Sequence, residues 1–217
     1  ERICNVCGWR GSVFAPRYYY DSYREDVRCY QCGCTDRCRL TALYLEQCQA
    51  GFFEEKKRKV LDIGPLWYTR HFFPDQVDYV SFDLSSPVAM VQGDLCKAPF
   101  LSGAFDMWLC FHVLDHIPDD ARAMRELRRL LSPTGFGLLD HVIDWSAPTV
   151  EYNEARRVGG VGPLRRRYGR DLPDRLRAAG FTVDVLDSEE LFDEATRRLH
   201  AIHPRRFLLC RPETGAS

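Results

Sequence analysis

The sequence of 217 residues contains no long hydrophobic run, although 45% of its residues are apolar. A membrane-spanning helix needs ~18 or more apolar residues in succession. The start of the chain also shows none of the charge and hydrophobicity pattern of an export signal. We therefore expect a cytoplasmic protein that has enough apolar residues for a folded core and no membrane partner.

The sequence also lacks an excess of either charge. It has 30 basic and 31 acidic residues, for a net charge of −1. A dedicated nucleic-acid binder normally carries a clear basic excess, so the composition argues against that class, although it leaves room for a local basic patch. The length suits one α/β domain and a small appendage.

Cysteine is abundant by contrast, with seven of the ten cysteines before residue 49. Two CxxC pairs are separated by 21 residues and consist of Cys4, Cys7, Cys29 and Cys32. Four thiolates at this spacing predict one tetrahedral Zn²⁺ site, which is structural because no coordination position stays open. Disulfides or a redox pair are the alternatives, and a reducing compartment disfavours disulfides. Cys34 and Cys38 either compete as ligands or are thiols beside the site.

After residue 56 the sequence alternates between strand and helix patterns. The predicted strands are 60–63, 78–83, 88–92, 106–111, 136–143, 181–186 and 206–210, and the predicted helices are 39–50, 119–131, 171–179 and 189–199. This alternation predicts an α/β fold with a mostly parallel seven-stranded sheet covered on both faces. We expect residues 1–50 to form a zinc-binding lobe with a linking helix, and residues 57–217 to form the α/β domain.

The strand at 60–63 ends at Gly64, which is typical of a buried parallel strand that opens into a ligand-binding turn. A glycine lets the backbone approach a ligand closely. Asp83 ends the next strand about 20 residues later, where a carboxylate accepts hydrogen bonds from ribose hydroxyls. Pro65-Leu66-Trp67 replaces the further glycines that a nicotinamide dinucleotide needs for its pyrophosphate. The turn therefore favours a cofactor without phosphate.

Several segments in a fixed order resemble class I S-adenosylmethionine-dependent methyltransferases. They are Val60-Leu61-Asp62-Ile63-Gly64-Pro65, Tyr79-Val80-Ser81-Phe82-Asp83-Leu84, Gly93-Asp94-Leu95, Ala98-Pro99-Phe100, Gly103-Ala104-Phe105-Asp106, His112-Val113-Leu114-Asp115-His116-Ile117-Pro118-Asp119-Asp120 and Leu130-Leu131-Ser132-Pro133-Thr134-Gly135-Phe136. The resemblance covers residues 57–145 and extends loosely over the rest of the domain, so it implies a Rossmann-like methyltransferase sheet. The cysteine lobe, with Arg37, Arg39 and Tyr44-Leu45, resembles the N-terminal module of some small bacterial methyltransferases.

The resemblance also implies site residues for S-adenosylmethionine. It places Asp94 near the adenine amino group, the Leu95 amide on a ring nitrogen, and Asp62 near the amino group of the cofactor. The backbone of Phe111 and His112 would line the methionine portion. Pro65 and Leu84 complete the predicted contacts as neighbours of Gly64 and Asp83.

Methyl transfer needs oriented partners and sometimes a base, which should lie at the carboxyl ends of the parallel strands. His112, His116 and His141 are the candidates, with His116 also fitting a structural role and His141 also fitting a buried core histidine. The segment 144–169 contains a glycine-rich run, which predicts a lid, and Arg165-Arg166-Arg167, which fits either a solvated charge run or an anion site.

These features favour an S-adenosylmethionine-dependent methyltransferase that acts on a small molecule, plausibly in specialised metabolism. A second hypothesis makes the zinc lobe a recognition module of an RNA or protein methyltransferase. A third, motivated by Pro65, is a cofactor-binding scaffold without catalysis.

Overall fold

The computed structural model describes residues 1–18, 23–54, 57–156 and 163–213. Contacts divide the chain into two compact units. The first comprises Glu1–Lys57, Leu66–Val77 and Leu186–Arg206, and the second comprises Arg58–Pro65, Asp78–Val185 and Phe207–Ser217. The domain limits of 1–50 and 57–217 stay a prediction. Among the described residues, no helix is long and apolar enough to cross a membrane.

A seven-stranded sheet forms the centre of the second unit. Its spatial order is β6-β7-β5-β4-β1-β2-β3, where the strands in chain order are β1 Lys59–Ile63, β2 Asp78–Asp83, β3 Val91–Gln92, β4 Phe105–Phe111, β5 Leu131–Asp140, β6 Phe181–Asp187 and β7 Arg206–Pro212. The pairs from β5 through β4, β1 and β2 to β3 are parallel, whereas β7 runs antiparallel to β5. The predicted α/β fold with a mostly parallel sheet is confirmed.

The order of these strands determines where a ligand can bind. The chain moves outward from β1 to β2 and β3, and then returns to place β4 on the other side of β1. In sheets of this kind, ligands bind in a crevice outside the carboxyl ends of the strands at such a switch point, here between the loops after β1 and β4. Strand β4 is almost wholly apolar and has Phe105, Met107 and Trp108 fully buried, so the sheet beneath this expected crevice is well packed.

The helix Asp120–Leu130 shows how the sequence defines its own boundaries. The Asp119 side chain accepts a hydrogen bond from the Arg122 backbone N–H at 2.9 Å and thereby caps the first turn. Ala123, Leu127 and Leu130 are fully buried on one face, as the predicted apolar stripe requires.

Four predicted elements differ in detail. The helix predicted at 39–50 spans Asp36–Cys48. Strand β5 spans Leu131–Asp140 instead of 136–143, which leaves His141 just beyond the strand. The predicted helix 189–199 is two helices, Ser188–Leu191 and Glu194–Leu199, because Asp193 caps a new turn by accepting from Thr196 N at 2.7 Å. Strand β3 has two residues instead of five.

The segment 144–169 contains an antiparallel hairpin of Val150–Arg156 and Leu164–Arg167. The sequence pattern did not predict these strands. The glycine run 159–162, on which the lid prediction depended, lies outside the described residues.

The first unit consists of two short hairpins and several helices. The hairpins pair Arg2–Ile3 with Arg10–Gly11 and Ala15–Tyr18 with Tyr23–Arg28. The helices are Asp36–Cys48, Ala50–Glu54, Ser188–Leu191, Glu194–Leu199 and a 3-10 turn at Thr69–Phe72.

Arg39 links the segments of the first unit from a fully buried position. Its guanidinium donates to the carbonyls of Val27 at 2.9 Å, His200 at 2.5 Å and Ala201 at 3.1 Å. It also lies 3.8 Å from the centroid of the Phe14 ring. A buried cation is tolerated only when hydrogen bonds satisfy it, so Arg39 serves this unit as a structural crosslink.

Candidate functional site: a cofactor crevice and a cysteine cluster

The turn after β1 is built so that a ligand can approach its backbone. Gly64 has φ of +70°, a conformation that favours glycine. A Cβ atom at this position would lie 2.6 Å from Val113 Cγ2 and 4.0 Å from Asp83 Oδ2. The turn therefore lies against both the carboxylate that ends β2 and the loop that follows β4.

The predicted ribose acceptor, Asp83, is held in place by its own loop. Its Oδ1 atom accepts hydrogen bonds from the backbone N–H groups of Ser85 at 2.8 Å and Ser86 at 2.7 Å. The second oxygen, Oδ2, is the one that faces Gly64. One carboxylate oxygen thus orients the side chain and the other is directed to the turn where the cofactor is expected.

The two other acids of the predicted cofactor site also have defined partners. Asp62 is buried and accepts a hydrogen bond of 2.6 Å from the Tyr79 hydroxyl. Asp94 accepts from the backbone N–H of Cys96 at 2.9 Å and caps the short 3-10 turn Leu95–Lys97. The first contact orients Asp62 at the end of β1, and the second fixes the loop beyond β3.

The remaining predicted cofactor residues lie at the same edge of the sheet. Pro65 and Leu95 are buried, Phe111 and His112 are half-buried, and Leu84 is 71% exposed. Because they follow β1, β2, β3 and β4, the parallel strands bring them to one side of the sheet. Their contact with a cofactor stays a prediction.

The residues after Pro65 belong to the first unit. Tyr68 is buried among the cysteines of the N-terminal lobe, and Phe72 packs against the same cluster. A Cβ at Gly33 would lie 2.8 Å from the Trp67 ring. This segment forms a 3-10 turn at Thr69–Phe72 and rests on the cysteine lobe.

Two of the candidate catalytic histidines lie next to each other. His112 follows β4 and His141 follows β5, with ring centroids 5.5 Å apart. The His112 backbone N–H donates to the Asp140 carbonyl at 3.0 Å, which ties the two strand ends together. The His112 backbone has φ of +54°, and such strain is common at functional sites in non-glycine residues.

Asp115 lies beside two of the candidate histidines, although the sequence pattern did not predict a role for it. Its Oδ1 atom lies 3.7 Å from His141 Nδ1 and 3.7 Å from His116 Nε2. One ligand atom each from His112, Asp115 and His141 lies within 4.8 Å of the others. The third candidate, His116, is not one of these three residues. Its Nδ1 atom lies 3.3 Å from the Pro163 carbonyl oxygen.

Arg166 holds the loop that carries Asp115 and His116. It is buried, and its guanidinium donates to the carbonyls of Leu114 at 3.0 Å, Ile117 at 2.6 Å and Pro118 at 2.9 Å. Its Nε also pairs with Glu151 at 2.9 Å. The interpretation of the arginine run as a solvated face is therefore wrong for Arg166, since all of its contacts are internal and structural.

Tyr168 completes the environment of His141. The two ring centroids are 5.1 Å apart, and the Tyr168 hydroxyl donates to Asp120 at 2.8 Å. Burial, together with the neighbouring carboxylate, raises the pKa of Tyr168 well above its ordinary value. Tyr168 consequently stays protonated and acts as packing and as a hydrogen-bond donor.

The four predicted zinc ligands lie together in the N-terminal lobe. Sγ atoms of Cys4, Cys7, Cys29 and Cys32 all fall within 4.8 Å of one another. The Cys4–Cys32 and Cys7–Cys29 sulfur separations are both 3.7 Å. Sulfurs in a tetrahedron around one zinc ion, with bonds of ~2.3 Å, lie about 3.8 Å apart. The cysteines are free thiols, and their spacing suits a metal ion and not a disulfide.

The two halves of this cluster share one backbone geometry. Gly8 and Gly33 have φ of +77° and +73°, and each donates its N–H to the carbonyl of the first cysteine of its pair, at 2.8 and 3.0 Å. Both turns need a glycine at this position. The sequence therefore folds each CxxC pair into the same knuckle, with both sulfurs on one side.

Cys34 is fully buried beside the cluster, with its Sγ 3.3 Å from Cys4 Sγ. It lies outside the four-sulfur group. Cys38 is also buried and contacts the Thr35 hydroxyl at 3.4 Å. Hydrogen bonds from Cys32 and Cys34 lower the pKa of Cys4, whereas burial raises the pKa of Cys7 to about 11. A cation that binds such a cluster does so by displacing the thiol protons.

Part of the chain resembles known proteins. Residues 68–139 match a family described as methyltransferase domain. An uncharacterised methyltransferase of Mycobacterium sp. (strain KMS) is 30% identical over 166 residues, which are 68% of this chain and 65% of that protein. A second, from strain JLS, is 26% identical over the same extent. The chain thus spans just under two thirds of the length of these relatives.

Solved structures with a similar fold include a methyltransferase and a cyclase. One is the 1,6-didemethyltoxoflavin-N1-methyltransferase of Burkholderia thailandensis with bound 1,6-didemethyltoxoflavin and S-adenosylhomocysteine, at a TM-score of 0.54, 20% identity, and coverage of 82% of this chain and 78% of that one. The other is the cyclase SpnF, at a TM-score of 0.54, 18% identity, and coverage of 82% of each chain. At these identities the likeness shows the fold of the chain and leaves its reaction open.

Proposed function

We propose that the protein transfers the methyl group of S-adenosylmethionine to a small-molecule acceptor. The observation that carries the proposal is the arrangement around Gly64. Gly64 carries no side chain, Asp83 Oδ2 faces it, and Val113 of the loop after β4 lies against it. A nucleoside attached to an amino acid suits strand ends that offer a carboxylate and a glycine turn side by side.

Further support comes from proteins of similar sequence and fold. The family match and the methyltransferases of Mycobacterium favour the reaction class. The protein of similar fold from Burkholderia thailandensis is an N-methyltransferase with bound 1,6-didemethyltoxoflavin and S-adenosylhomocysteine. Near-neutral charge also favours a small acceptor over RNA.

In this proposal the acceptor lies beside His112 and His141, at the ends of β4 and β5. Methyl transfer is an in-line displacement, so the chain contributes chiefly by holding the acceptor atom opposite the sulfonium. His141 packs against the Tyr168 ring and its side chain is 1% exposed, so its orientation is fixed, which suits a residue that positions the acceptor. His116, which contacts Pro163, has a supporting role in the same loop.

The four-cysteine cluster is proposed as a structural zinc site. Its sulfur spacing fits tetrahedral coordination, and four thiolates leave no open position for chemistry. Bound zinc would supply folding energy to a lobe that has little core of its own. Recognition of RNA or protein by this lobe remains the second candidate, and the exposed Tyr30 and Trp67 near the second knuckle are the observation that favours it.

Calorimetric titration with S-adenosylmethionine tests the proposal. We expect one cofactor per chain, and we expect Asp83→Asn to weaken binding at least tenfold because a neutral amide loses the charged acceptor. Asp78→Asn is the matched control, since Asp78 begins the same strand and is exposed at its opposite end. Absence of binding at millimolar cofactor, or equal effects of both substitutions, would contradict the proposed site.

A further inference from the structure

The group of His112, Asp115 and His141 lies outside the expected contacts of the cofactor, except for the His112 backbone. We propose that these three side chains bind one divalent transition-metal ion, which holds an oxygen atom of the methyl acceptor. The inference rests on the proposed methyl transfer and names how its acceptor is held.

The three side chains are donors of the kinds that transition-metal ions bind. Two imidazoles and one carboxylate suit the divalent ions from Mn²⁺ to Zn²⁺. One donor atom from each residue lies within 4.8 Å of the other two. Neighbouring donors around an ion with bonds of ~2.1 Å lie about 3.0–3.4 Å apart, and opposite donors about 4.2 Å apart. Side-chain rotations that move the donor atoms by up to about 1 Å therefore bring all three into coordination.

In the part of the chain that the structure describes, one carboxylate oxygen of Asp115 lacks the hydrogen-bond donor that a buried oxygen needs. Its Oδ1 atom is buried and has no hydrogen-bond donor among the described residues. The contacts of this atom with His141 Nδ1 and His116 Nε2, at 3.7 Å each, are longer than the ~3.2 Å limit of an ordinary hydrogen bond. Leaving a buried carboxylate oxygen in that condition is costly. A distance of 3.7 Å is, however, ordinary for two ligands of a single cation.

The surrounding structure fixes these ligands. The His141 side chain is 1% exposed and packs against the Tyr168 ring. His112 is held at φ of +54° by its backbone bond to Asp140. Arg166 binds three carbonyls of the loop that carries Asp115. Metal sites require this kind of support around their ligands.

Three protein ligands leave coordination positions open for the acceptor. An acceptor with a hydroxyl next to a second oxygen atom would chelate the ion, and the ion would lower the pKa of that hydroxyl. The hydroxyl proton leaves for solvent, the new O–CH₃ bond forms, and the bond from the methyl carbon to the sulfonium sulfur breaks. The products are a methyl ether and neutral S-adenosylhomocysteine. The inference thus selects oxygen acceptors that can chelate.

The test is metal content of the full chain after equilibration with Zn²⁺ and removal of loosely bound ions. We expect two zinc ions per chain in the natural protein, one in the cysteine cluster and one at the new site. Asp115→Asn and His112→Gln should each retain one ion and bind the second at least tenfold more weakly. His71→Gln, which removes an exposed histidine in the first unit, should retain two.

Titration with S-adenosylmethionine on the same samples separates this inference from the proposed function. Cofactor binding together with only one zinc ion in the natural protein overturns the metal site and leaves the methyl-transfer proposal standing. Loss of the second ion in His71→Gln, or its retention in both Asp115→Asn and His112→Gln, also overturns the metal site. The ion retained in the cysteine cluster reports that the first unit of each variant is folded, and an unchanged circular dichroism spectrum reports the same for the second unit.

Discussion

Replacing Gly64 with alanine should reduce both stability and cofactor affinity. At φ of +70° an alanine pays the strain of the left-handed region, which is about 1–2 kcal/mol. The new methyl group would also lie 2.6 Å from Val113 Cγ2, and turning that valine away from its rotamer costs about 0.5–1.5 kcal/mol. Gly64→Ala should therefore lower the free energy of unfolding by about 1.5–3.5 kcal/mol, measured by urea denaturation.

Gly103→Ala is the matched control for this prediction. Gly103 has nearly the same φ, +67°, but a Cβ there would meet its nearest atoms at 3.9 Å. Its substitution should cost about 1–2 kcal/mol from strain alone and leave S-adenosylmethionine binding unchanged. Calorimetry should show binding at least tenfold weaker in Gly64→Ala. Equal stability losses in the two variants, or unchanged cofactor affinity in Gly64→Ala, would refute the account of the turn.

Other predictions concern zinc, the buried arginine and pH. Cys29→Ser should remove the zinc of the cysteine cluster and unfold the first unit, whereas Cys48→Ser, at an exposed thiol, should change neither metal content nor circular dichroism. Arg166→Met should lower the free energy of unfolding by about 3–5 kcal/mol because it leaves the carbonyls of Leu114, Ile117 and Pro118 without their charged donor; a loss under 1 kcal/mol in denaturant titration would argue against its role as a crosslink. Burial by itself raises the pKa of Asp171. Hydrogen bonds from Arg175 and Thr149 outweigh the effect of burial and bring the pKa down to about 2. The folded state therefore gains stability from Asp171 above pH ~4 and loses it as pH falls towards 2, and Asp171→Asn should flatten that part of a pH-dependent unfolding curve.

The sequence predicted the sheet well because its signals are local. Apolar runs such as Phe105–Phe111 identify buried strands without knowledge of their neighbours, and Asp119 and Pro118 define the start of a helix in the same way. The break between Ser188–Leu191 and Glu194–Leu199 was missed because Phe192 fits the apolar pattern while Asp193 starts a new helix.

Within the site, the sequence predicts which residues lie at the ends of the strands. It does not predict which side chains contact one another there. Asp83 and Gly64 stand at recognisable points of the chain. The link between Arg166 and the loop 114–118 joins residues about 50 positions apart, and no local pattern distinguishes it from an exposed arginine run. Asp115 was likewise seen only as part of a family segment, since its position beside His141 depends on the pairing of β4 with β5.

The most direct test of the account is a crystal structure of the zinc-loaded protein with S-adenosylhomocysteine. We predict ribose hydroxyls on Asp83 Oδ2, adenine beside Asp94 and Leu95, and the thioether sulfur at the ends of β1 and β4, near His112 and His141. A cofactor bound elsewhere on the chain, or a crevice that stays empty at saturating S-adenosylhomocysteine, would contradict the assignment of this edge of the sheet as a methyl-donor site.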